Sequence, residues 1–143
     1  MADPAANTEA AVADLLQATG QLLRRVRAES NPGELTWSQA SALSRLHKQG
    51  PMTIADLARA DSVKPQSMGA TVAGLEREGL VERQPHPADG RQVLFGLTEA
   101  GIANRRTNSV LKRAWLSAAM AQLDPGEIQT IITAAALIKR LAK

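Results

Sequence analysis

The sequence predicts a mainly α fold with a small β-hairpin wing: a winged helix-turn-helix with long helices on either side. Three observations predict it. Two short stretches with helical apolar spacing, 53–60 and about 65–78, flank the turn Asp61-Ser62-Val63. Two β-patterned runs follow at once, around a turn punctuated by Pro, Asp and Gly. Amphipathic segments precede and follow this block, near 8–28 and 98–142.

In chain order, residues 1–7 read as a loose terminus. From Thr8 to about Ala28, Val12, Leu15, Leu16, Thr19, Leu22, Leu23 and Val26 form one helical stripe. Arg24, Arg25 and Arg27 cluster at its end, where cations suit the helix dipole. Ser30-Asn31-Pro32-Gly33 is a loop. Thr36 caps the next helix, and Gln39 three residues on makes a capping box. Ala40, Leu43, Leu46 and His47 carry its buried face to Gly50-Pro51. The helix 53–60 buries Ile54, Leu57 and Ala58. Pro65 stands in the first turn of the following helix, where its missing N–H would be unpaired anyway. Met68, Val72 and Leu75 are that helix's buried stripe, and Gly79 stops it. Residues 80–83 form a strand, 86–91 a turn, and 92–97 a returning strand with Val93, Phe95 and Leu97 on one face. Thr98 caps a long helix to about Gln122, with Ile102, Val110, Leu111, Trp115, Leu116 and Met120 apolar. Asp124 caps the last helix, with Pro125 at its first position and Ile128, Ile131, Ile132, Ala135, Ile138 and Leu141 as its stripe.

The 143 residues suffice for one domain, and 44% hydrophobic content argues against disorder. Net charge is +3 and the pI is about 9.8, which favours a polyanionic partner. The excess is not in the helix-turn-helix, however. From 64 to 91, Lys64, Arg77, Arg83 and Arg91 are balanced by Glu76, Glu78, Glu82 and Asp89. Polyanion binding there must rest on where the cations stand. The absence of cysteine excludes disulfides, thiol redox sensing and Cys-ligated metals, which leaves methionine oxidation as the one route for peroxide. His47 and His86 are too few for a His-rich metal site. No apolar run approaches the roughly 18 residues of a membrane span. The N-terminal residues carry no signal-like pattern, so the chain reads as cytoplasmic. No phosphate-binding Gly-rich loop, nucleophile elbow or His–Glu metal spacing is present, so neither catalysis nor a cofactor is expected.

Gly79-Leu80-Val81-Glu82-Arg83, then Asp89-Gly90-Arg91, then Leu97-Thr98-Glu99-Ala100-Gly101 resemble, in that order and spacing, the MarR family of bacterial transcription regulators. The resemblance extends over nearly the whole chain. It implies one domain, with a DNA-binding lobe at about 34–98 and dimerisation helices at about 8–28 and 98–142. It further implies a homodimeric repressor of a pseudo-palindromic site on double-stranded DNA. Arg91 would enter the minor groove while Asp89 orients a basic side chain. A small aromatic or anionic effector would sit between dimer helices and DNA-binding lobe, near Trp37, Arg45, Arg106 and Trp115. The amphipathic ends independently need a cover, which is either a second copy or the chain's own core.

The candidate DNA contacts are Lys64, Pro65, Gln66, Ser67, Ala70, Thr71 and Arg77 on the second helix, with Gly74 on the same outward face, and Asp89 and Arg91 in the wing. The N-terminal residues of such a helix meet base edges in the major groove. Gln66 can pair bidentately with adenine, Ser67 can bond to bases or phosphate, and the Thr71 methyl can touch thymine. A merely solvated helix face would show the same polar residues, and a plain hairpin turn the same charge pair. Arg83 is structural or holds Asp89 across the hairpin. His86 sees phosphate or only solvent; His47 is half-buried. Trp115 suits a core, and Trp37 either a pocket or a hydrophobic staple. Gly69 either permits close approach of the preceding helix or lends flexibility. A winged helix used for protein–protein contact is the alternative function, and would be expected to expose apolar groups where Gln66, Ser67 and Thr71 stand.

Overall fold

The computed structural model describes residues 4–31 and 33–143. Its elements are α1 (Pro4–Glu29), α2 (Trp37–Gln49), α3 (Ile54–Ala60), α4 (Pro65–Arg77), β1 (Val81–Pro85), β2 (Val93–Leu97), α5 (Glu99–Met120) and α6 (Pro125–Leu141). They form two compact units, Asn31–Val110 and the paired ends Met1–Ser30 with Leu111–Lys143.

In the first unit, Leu43, Leu46, Leu57, Met68, Val72, Leu75, Val81 and Phe95 make one buried cluster. It joins α2, α3, α4 and the hairpin. Thr36 and Gln39 form the expected capping box. Thr53 proves to be the N-cap of α3 rather than its first residue, accepting from the Asp56 N–H. Both helices of the helix-turn-helix end in the same way. Ser62 (φ 54°) follows α3 and Gly79 (φ 72°) follows α4, each left-handed. Val63 N–H then reaches Ala58 O and Leu80 N–H reaches Leu75 O, both at 3.0 Å. Each is the long bond of a Schellman stop, which satisfies carbonyls the helix end leaves free.

β1 and β2 pair antiparallel, with Val81 opposite Leu97 and Pro85 opposite Val93. Met52 adds a single-residue bridge to Phe95 through 3.1 and 2.8 Å bonds. No periodic pattern can reveal an isolated residue of this kind. Phe95 is buried and Leu97 half-buried, but Val93 is 41% exposed, so the shared face holds only at the base of the hairpin. The outer end stands clear of the core. Thr98 joins wing to α5: its hydroxyl donates to Gly79 O at 2.6 Å and accepts from Gly101 N–H at 3.1 Å.

Two expectations change here, at Gly74 and His47, and at Gly69 one of two alternatives falls away. Gly74 is buried, and a Cβ on it would meet the Gln39 amide at 2.8 Å. The position seals α4 against the start of α2 and is not on the outward face. His47 is exposed rather than half-buried, because the last turn of α2 leaves the core after Leu46. At Gly69 a Cβ would stand 4.0 Å from Ile54, an ordinary contact, so close approach of α3 does not require glycine.

In the second unit, α1 begins at Pro4. Residues 4–7 are therefore helical rather than loose, while residues 1–3 and Pro32 lie outside the described residues. Proline at a first helical position and the alanines after it account for the early start. Asp124 caps α6 reciprocally with Glu127. α6 has no buried residue. Leu16 on α1 is 69% exposed, and Ile132 and Leu141 on α6 are 54% and 74% exposed. Among the described residues no helix is long and apolar enough to cross a membrane.

Candidate nucleic-acid interface

The recognition helix α4 is fixed on one side and free on the other. Met68, Val72 and Leu75 anchor it. Lys64, at the N-cap, makes no side-chain cap bond. Lys64, Pro65, Gln66, Ser67 and Ala70 are exposed at its first two turns, and Arg77 at its last. Thr71 is half-buried, and its hydroxyl donates to Ser67 O at 3.2 Å. That bond occupies the polar end and leaves the methyl as the group to offer. The exposed set combines donors and acceptors of the type that read base edges.

The wing is held by carboxylates. Arg83 on β1 donates through Nε to Glu76 on α4 at 2.9 Å, so Arg83 ties the hairpin to the recognition helix rather than to Asp89. This bond and the Glu76 charge raise the Arg83 pKa further above its ordinary value. The Arg83 guanidinium also lies 5.7 Å from the Phe95 ring centre. Asp89 instead accepts the side chain of Arg91 at 3.1 Å, the Arg91 backbone N–H at 3.0 Å and the Gln92 amide at 3.3 Å. Those bonds, the Arg91 side chain foremost, hold the Asp89 carboxyl below the usual carboxylate range. Arg91 stays 92% exposed while so oriented. A guanidinium projected from a narrow loop suits a narrow minor groove, where negative potential is concentrated. His86 does not face solvent alone: its Nδ1 accepts from Ala88 N–H and Asp89 N–H at 3.1 and 3.0 Å.

The turn of the helix-turn-helix has an anchor that the spacing did not reveal. Asp61 accepts Arg45 Nε and Ser41 Oγ, both at 3.0 Å, from the neighbouring α2. With 11% of its side chain exposed against 30% for Arg45, this is a half-buried ion pair. Arg45 is therefore engaged in holding the turn. Of the other effector candidates, Trp37 is 58% exposed at the start of α2. Arg106 is exposed on α5, and Trp115 belongs to the other unit, where Arg25 stands 5.7 Å over its ring. The next arginine, Arg105, is different. It is half-buried; among the described residues its Nη groups reach only Ser44 Oγ and Asn108 Oδ1, each at 3.4 Å, and its buried Nε has no partner. Burial lowers its pKa from the ordinary guanidinium value.

Comparisons with known proteins agree on one kind of molecule. The family model "MarR family" matches residues 35–93. An uncharacterised HTH-type transcriptional regulator of Mycobacterium bovis is 36% identical over 128 residues, covering 90% of each chain. The HTH-type transcriptional repressor NicR of Pseudomonas putida is 28% identical over 127 residues, 83% of this chain and 80% of that one. Among solved structures, a putative transcriptional regulator of Pseudomonas aeruginosa superposes with a TM-score of 0.84 at 31% identity, covering 94% of this chain and 96% of that chain.

Proposed function

Because this chain belongs to the MarR family, whose members are DNA-binding transcription regulators and not enzymes, we propose that it is a homodimeric repressor reading a pseudo-palindromic site. The observation that carries the reading is the free face of α4 beside a wing whose arginine is already aimed outward. Lys64, Pro65, Gln66, Ser67, Ala70, Thr71 and Arg77 meet the major groove, and Arg91, set by Asp89, the minor groove. The relative named as a repressor supports repression over activation. The chain works in the cytoplasm, where its DNA is. The exposed stripes of α1 and α6 support dimerisation, since a second copy would cover them. A gel shift with DNA from upstream of the gene tests the reading. A discrete shift that survives excess unrelated duplex is expected, and no shift at low salt would overturn it.

Release by a small aromatic acid is part of the same proposal. Arg45 is already neutralised by Asp61, whereas Arg105 has no carboxylate partner among the described residues. A half-buried guanidinium held only by neutral groups is unfavourable until an anion meets it. The effector's carboxylate therefore belongs at Arg105 and Ser44, with Trp37 and Arg106 the family-implied surroundings. Such a ligand must prefer the DNA-incompetent state, and a typical coupling of about 1–3 kcal/mol lowers DNA affinity roughly 5- to 150-fold. Salicylate titrated into wild type and Arg105→Gln, with tryptophan fluorescence and operator release followed together, tests this. The variant should keep DNA affinity and lose the response; an unchanged response removes Arg105 from the site.

A further inference from the structure

We infer that His86 is a positioning residue of the wing, whose Nδ1 acts as a double acceptor that sets the loop from which Arg91 is presented to DNA. The inference rests on the wing's contact with DNA proposed above. The loop has two nested caps. Asp89 organises the second half, through Arg91 N–H and the Gln92 side chain. His86 organises the first half, accepting two successive backbone N–H groups, those of Ala88 and Asp89. Pro87, between His86 and Ala88, has no N–H to offer. The arrangement is that of an Asx turn, with the imidazole Nδ1 in the place of an asparagine or aspartate oxygen. The two caps are in series. The Asp89 N–H is fixed by His86, and the Asp89 carboxylate then fixes Arg91. Loss of the first cap frees the residue that aims the guanidinium.

The chemistry of the acceptor fixes which form of the ring the arrangement uses. A backbone N–H can only donate, so the observed pair of bonds requires Nδ1 without a proton. An imidazolium carries a donor there, cannot accept either bond, and must turn away from both amides. The facing charged group is Asp89, with Arg91 beyond it. Attraction between an imidazolium and the Asp89 carboxylate would compete with Arg91 for that carboxylate. Both effects of protonation therefore act against the arrangement that presents Arg91.

The test uses the full chain and two variants at His86, with Arg91→Ala as the reference for DNA binding. His86→Ala removes the acceptor, while His86→Asn restores an acceptor oxygen at the position of Nδ1 and cannot take up a proton. The free protein is followed by NMR exchange of the Ala88 and Asp89 amides with water. His86→Ala should speed exchange at both by roughly two- to tenfold, the range expected for one hydrogen bond of ordinary net strength. His86→Asn should restore wild-type exchange. Binding to a mixed-sequence DNA duplex is read in parallel. His86→Ala should shift affinity and salt dependence toward those of Arg91→Ala, and His86→Asn should not. Unchanged amide exchange in His86→Ala, or failure of asparagine to rescue it, overturns the positioning role. If the amides respond as stated but Arg91→Ala leaves DNA binding unaltered, the wing's DNA contact is what has failed.

Discussion

Arg91 and Asp89 are best considered together, because one sets the other. The carboxylate is stabilised in its charged form chiefly by the Arg91 side chain and next by the Arg91 backbone N–H. A depressed carboxylate contributes stability that is complete above its unfolded value and lost only as pH falls through its lower folded value. The wing's dependence on Asp89 should therefore be flat down to about pH 4 and fail below it. Carboxyl-carbon NMR should show Asp89 titrating below an ordinary aspartate in wild type, and at higher pH in Arg91→Ala. An Asp89 titration unmoved by Arg91→Ala would mean the pair does not persist in solution. On DNA, Arg91→Ala should weaken binding to many sequences alike and make the log–log salt slope shallower by roughly one unit per protomer. Gln66→Ala should instead cost about 1–3 kcal/mol on the cognate site and relax its specificity. The two signatures separate anchoring from reading. The places of these residues on α4 and in the hairpin turn were legible in the sequence, because turn chemistry and helix spacing are local. His86, Asp61 and Arg105 were not legible. The first acts through a ring nitrogen that mimics an amide oxygen, the second through partners on another helix, and the third through burial, which one sequence does not display.

Elements were legible where caps and apolar stripes coincide. Thr36 with Gln39, Pro65, Gly79 and Asp124 mark ends that the structure retains, within a residue or two. Some positions were not legible because a small residue can serve either packing or solvent. Gly74 and Gly69 look alike in sequence and differ in the space above them. Gly69→Ala should therefore raise stability by about 0.5–1 kcal/mol, since a helix-interior glycine is relieved and nothing is displaced. Thermal or urea unfolding measures it, and destabilisation would mean that α3 lies closer than the 4.0 Å contact at Ile54 implies. Gly101→Ala should do the reverse. A Cβ there would stand 2.1 Å from Leu80 O, so the start of α5 must move off the hairpin. Overpacking of this kind typically costs about 1–3 kcal/mol. Asp61→Ala should also destabilise by about 1–3 kcal/mol, by leaving the half-buried Arg45 guanidinium and Ser41 without their acceptor.

At the scale of the whole molecule, the proposed function requires two copies acting as one. The apolar stripes predicted on the terminal helices are present, yet Leu16 and Ile132 remain exposed in a single chain. Ile132→Asp or Leu16→Asp should yield monomers by sedimentation velocity and lose high-affinity DNA binding in the same variant, because a charge placed in an apolar interface has no partner. A monomeric variant with full affinity would uncouple assembly from recognition. The most direct measurement is a footprint of the wild-type protein on DNA from upstream of its gene. Two recognition helices related by a twofold axis should protect two inverted half-sites about 10 bp apart, centre to centre, or a multiple of that. Protection of a single unrepeated half-site would contradict the dimeric reading, and uniform protection without sequence preference would contradict recognition by α4.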